Sequence, residues 1–70
     1  MSDTVKADAM HCLATLLSIS HDMRRREEDR RVAEMCFRSF DALFEAYKAQ
    51  ERRDEEVRNA IRLLGEFANG

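Results

Sequence analysis

Residues 5–19 read VKADAMHCLATLLSI, and within them Val5, Ala9, Cys12, Leu16 and Ile19 alternate at spacings of four and three. On a helix of about 3.6 residues per turn this alternation puts all of them along one line, whereas a strand would scatter them over two faces. Met23 continues the series, and Met10, Leu13 and Leu17 form a second row beside it. At about 100° per residue the apolar arc then covers roughly half the circumference, more than one neighbouring helix can hide. The stretch predicts a first helix over residues 4–19, capped by Ser2 or Thr4 and packed against more than one partner. The poor helix formers of SISHD, residues 18–22, place the first turn.

Asp22 is positioned to cap a second helix reaching Gln50. Its inner face is Val32, Ala33, Cys36, Phe37, Phe40, Leu43, Phe44 and Tyr47, again at three-four spacing and rich in aromatics. A separate row, Met35, Ser39, Ala42, Ala46 and Ala49, consists mostly of small side chains that let two helix backbones approach, although alanine on a helix also serves propensity alone. Asp54 starts a third helix over residues 54–68, with Glu55 and Glu56 at the positive end of its dipole. Val57, Ala60, Ile61, Leu64 and Phe67 are its apolar face, Leu63 widens that face, and Asn69-Gly70 stands in C-cap position. Nothing in QERR, residues 50–53, forces a break, so one long rod is the alternative to two helices. The only two glycines are Gly65 and Gly70 and proline is absent, which removes ordinary β-turn chemistry from the first 64 residues. The expected fold is a single all-α domain over residues 1–70, a bundle of two to three amphipathic helices completed by homodimerisation.

Between the first two apolar series lies RRREEDRR, residues 24–31. Read as helix, it pairs Arg24 with Glu28, Arg25 with Asp29 and Glu27 with Arg31, each four apart and of opposite sign. Only Arg26 and Arg30 then lack a partner inside the stretch, and the plain reading is a solvated helix face. Extending the aromatic face back by two turns, however, brings Arg25, Arg26 and Asp29 onto it, which implies a helix end protruding past the core. Such an end, with Arg24, Arg25, Arg26, Arg30 and Arg31, suits an acidic patch on a protein target, because arginine binds carboxylates in a bidentate manner. Nucleic acid is disfavoured as a partner: the net charge is −2, acids are interspersed, and no aromatic residue stands ready to stack on bases.

The chain offers little for catalysis. His11 and Cys12 are about 100° apart on the first helix, His21 and Asp22 fall in the expected turn, and no glycine-rich phosphate loop is present. Asp8, His11 and Cys12 lack a second half-site for metal, so no catalytic, cofactor or metal site is expected. Cys12 and Cys36 are read as core fillers, reduced in the cytoplasm. The opening MSDTVKAD lacks a basic start with an apolar run behind it, and no run approaches the roughly 20 residues of a membrane span. The expected core is Val5, Cys12, Leu16, Ile19, Cys36, Phe37, Phe40, Phe44, Tyr47, Val57, Ile61, Leu64 and Phe67. A dimer or helix contact is expected from Met10, Leu13 and Leu17 or from the small-residue row. The functional expectation is a non-enzymatic regulatory adaptor or inhibitor that binds another protein. A dimeric nucleic-acid binder using Arg24–Arg31 is the alternative, and a structural or assembly subunit the third.

Overall fold

Helix α1, Asp3–Ser20, begins where the Ser2 hydroxyl accepts the Val5 N–H at 3.2 Å, supplying one of the first-turn donors with an acceptor. Two further helices follow in the computed structural model, α2 over Glu27–Tyr47 and α3 over Asp54–Asn69, and no strand occurs among the described residues, 1–50 and 53–69. The protein is an all-α, three-helix bundle.

The corner between α1 and α2 is longer than the periodicity implied. The N–H groups of His21 and Asp22 close the last turn of α1 on the carbonyls of Leu17, Ser18 and Ile19. The Asp22 carboxylate then turns onto its own neighbours, accepting the Arg24 N–H at 3.0 Å and Arg24 Nε at 3.1 Å, while the Asp22 carbonyl accepts the Arg25 N–H at 3.0 Å. Aspartate bonded to the backbone two residues on stabilises a turn in competition with helix. Asp22 therefore anchors the corner and does not cap α2. Arg26 takes the cap position with extended backbone, φ −61° and ψ 146°, and no side-chain cap bond, so the second helix starts at Glu27 where residue 22 was expected. Glu27, Glu28 and Asp29 occupy the first turn, where negative charge meets the positive end of the helix dipole. Met23 leaves the α1 seam and is exposed in the corner.

At its other end α2 stops at Tyr47, short of the expected Gln50; the Lys48 N–H donates to the Phe44 carbonyl and the Gln50 N–H to that of Tyr47, both at 2.8 Å. With α3 starting at Asp54, α2 and α3 are separate helices and not one rod. Of the QERR link, Glu51 and Arg52 lie outside the described residues, as does Gly70 of the expected C-cap. Arg53 holds the far side of this link: its guanidinium lies 5.0 Å from the centre of the Tyr47 ring and its Nε donates to Gln50 Oε1 at 3.1 Å. Asp54 in turn accepts the Ser2 N–H at 3.1 Å, joining the start of α3 to the start of α1.

The α1 seam is the centre of the core. Val5, Ala9, Cys12, Leu16 and Ile19 are all buried, together with Ala33, Phe40 and Phe44 of α2 and Val57 of α3. The Phe40 and Phe44 rings stack one turn apart, with centroids 6.5 Å from each other. Cys36, Phe37, Tyr47, Ile61, Leu64 and Phe67 pack against this cluster half-buried, as do Leu13, Leu43 and Ala60. Contact is most extensive between α1 and α2, less so between α1 and α3, and sparse between α2 and α3. The wide apolar arc of α1 is thus divided between two neighbours that barely touch each other.

Gly65 lies inside α3, and a Cβ built there meets no atom within 4 Å. Replacing a mid-helix glycine without steric conflict reduces the entropy of the unfolded chain. Gly65→Ala is expected to stabilise the fold by about 0.4–1 kcal/mol, raising the melting temperature by several degrees in a thermal scan followed by circular dichroism.

Candidate functional site

Two surfaces stand out once the core is accounted for. The first is the arginine corner. Arg24, Arg25 and Arg26 lie in the non-helical residues between α1 and α2, while Arg30 and Arg31 lie in the first turns of α2. The five therefore do not share one protruding helical end. The helical pairings of Arg24 with Glu28 and Arg25 with Asp29 are replaced by contacts to Asp22, at 3.1 Å from Arg24 Nε and 3.9 Å from Arg25 Nε. Glu27 and Arg31 do pair along α2, at 2.8 Å. Arg30 folds back so that one guanidinium nitrogen lies 3.3 Å from Met23 Sδ. The side chain of Arg24 remains 92 % exposed despite its bond to Asp22, and Arg25 and Arg26 are exposed beside it.

The second surface is an open apolar groove of about 450 Å³ between α2 and α3. Its lips are Met35, 68 % exposed, and Leu63, 58 % exposed, and Phe40 and Leu64 lie toward the core. Val32, Cys36, Ser39, Leu43 and Ala60 complete the lining. The groove exists because α2 and α3 both lean on α1 and meet each other only sparsely. Of the small-residue row, Met35 and Ser39 line it, Ala42 and Ala46 are exposed on α2, and Ala49 lies beyond the end of the helix. On α1, Met10 and Leu17 are exposed whereas Leu13 packs against the core. Leu63 gains its importance only from the structure, and Val32, expected on the inner face of α2, is instead exposed at the groove. The sequence signal for Leu63 was its place beside the α3 seam, an apolar residue more than one helix face requires.

His11 and His21 are exposed, and no cluster of three or more His, Cys, Asp or Glu side chains among the described residues is arranged to hold a metal ion. Burial pushes the Cys12 thiol above its ordinary value and the nearby Cys36 pushes it further, so Cys12 is a protonated core side chain at neutral pH. No helix among the described residues is long and apolar enough to cross a membrane. The chain matches no protein-family model, no curated protein and no solved structure.

The arginine corner carries a pH dependence. Hydrogen bonds from the Arg24 side chain and backbone hold the Asp22 carboxyl below its ordinary value. A carboxyl lowered on folding adds stability that is present above its unfolded value and lost as the pH falls through the lowered, folded one. An NMR titration of the Asp22 carboxyl should give a midpoint below that of a free aspartate, and Arg24→Ala should move it upward. An unchanged midpoint in that variant would show that Arg24 does not anchor the corner.

Proposed function

We infer that this protein is a protein-protein interaction module, assembled as a homodimer, that acts as a small cytoplasmic adaptor or inhibitor of a target protein. The observation that carries the reading is the apolar groove between α2 and α3, since a contiguous exposed apolar patch on a small domain marks a surface used for association. Two further features support it. The arginine corner presents exposed guanidinium groups fit for bidentate bonds to carboxylates on a target. Cys12 and Cys36 are free thiols, in keeping with a reducing compartment.

The run of exposed arginines at residues 24–26 also favours a second reading, a nucleic-acid-binding dimer that contacts phosphates through the same corner. Against it stand the net charge of −2 and the acids Glu27, Glu28 and Asp29 directly beside the arginines.

One set of measurements separates them. Changing Arg24, Arg25 and Arg26 together to alanine should leave the light-scattering mass of the assembly unchanged while abolishing retention of the target on a column bearing the protein. In a gel-retardation assay at roughly 50 mM salt neither single- nor double-stranded nucleic acid should be shifted; a shift that fades steeply with added salt would replace the first reading by the second.

A further inference from the structure

We propose that the groove between α2 and α3 is filled by the same groove of a second copy, related by a two-fold axis lying along it, so that α2 of each chain covers α3 of the other. This rests on the homodimer reading and adds its interface and symmetry operator.

A folded monomer of 8.2 kDa is expected to expose about 4,500 Å² of surface, and this chain exposes 5196 Å², an excess of roughly 700 Å². A standard interface removes about 800 Å² from each partner, which is of the same order as the surplus. The radius of gyration agrees, at 12.1 Å against about 11 Å for a compact domain of this length. The backbone extends over 38 × 19 × 14 Å along its principal axes.

The two lips carry the same arrangement with opposite chemistry. Met35 of α2 is flanked on the helix surface by Arg31 and Arg38, four residues before and three after it; Leu63 of α3 is flanked by Asn59 and Glu66 at the same two offsets. A two-fold axis along the groove lays the Arg-Met-Arg lip of one copy against the Asn-Leu-Glu lip of the other. The rival operator, which crosses α2 with α2, would bring arginine against arginine. Arg31 and Arg38 already bond Glu27 and Glu34 at 2.8 and 2.9 Å, yet their side chains are largely exposed and a guanidinium has donors left for a second carboxylate or an amide. Ser39, Ala42 and Ala46 keep the α2 surface low enough for another helix to approach, and Met35 is an unbranched side chain able to fit an irregular hollow. With only −2 on each chain, overall repulsion between copies is small.

Size-exclusion chromatography with light scattering, over roughly 1–100 µM protein, tests the proposal. The wild type should show twice the 8.2 kDa chain mass. Leu63→Glu or Met35→Glu, each at an exposed position, should keep the helical circular dichroism and weaken the dimer roughly 30-fold or more, the effect of losing one central anchor. Arg31→Glu and Glu66→Arg should each weaken it, and their combination should restore it, because the second copy's α2 runs antiparallel to α3 and sets Arg31 against Glu66. A dimer that withstands Leu63→Glu but is broken by Leu17→Glu would overturn the groove assignment while leaving the homodimer standing. Rescue that fails in the Arg31→Glu, Glu66→Arg double variant would overturn the operator. A mass of one chain at every concentration would overturn the proposal and the homodimer together, leaving the groove to an unrelated helix or an apolar ligand.

Discussion

The structure depends on a single apolar line. Val5, Ala9, Cys12, Leu16 and Ile19 of α1 are buried along almost the whole helix, and both other helices are held by leaning on it. The core takes side chains from all three helices, but α1 supplies more of the buried ones than either neighbour and is the partner that the other two share. The arrangement has a geometric cost: helices that lean on a third from two sides need not close on each other. The groove follows from that, and its residues are apolar because they border the core.

Much of this could be read from the sequence, and the parts that could not have identifiable causes. A three-four alternation without proline or glycine has one regular interpretation, which is why the α1 seam and the all-α class follow directly from residues 5–19. The stretch RRREEDRR was harder because it satisfies two rules at once. Its charges are spaced for helical pairing, and its acids also form a good first turn. The bonds of Asp22 to Arg24 decide between them, ending the corner at Arg26 and assigning Glu27, Glu28 and Asp29 to the start of α2. Periodicity cannot register a side chain that bonds its own backbone, so the pairings Arg24–Glu28 and Arg25–Asp29, and the protruding helix end, are replaced by a turn.

The surplus of apolar surface was legible in kind, and its position only in part. Sequence rows on α1 and α2 pointed to Met10, Leu13 and Leu17 or to the small residues beginning at Met35. How two helices diverge is settled by packing around a third, and no one-dimensional pattern records it. Hence Leu63 and Val32, each at the margin of its own helix face, line the same groove as Met35. Leu13, which looked equally available, is taken into the core by the neighbours of α1.

The fastening of α3 has a consequence for how the molecule comes apart. Val57, in its first turn, is its only fully buried side chain, and the Arg53–Tyr47 and Ser2–Asp54 contacts lie at that same end. From Ala60 onward the helix has only half-buried contacts and one wall of an open groove. Regional stability follows the density of buried contacts, so the distal turns of α3 form the weakest cooperative unit and exchange their amide protons ahead of α1.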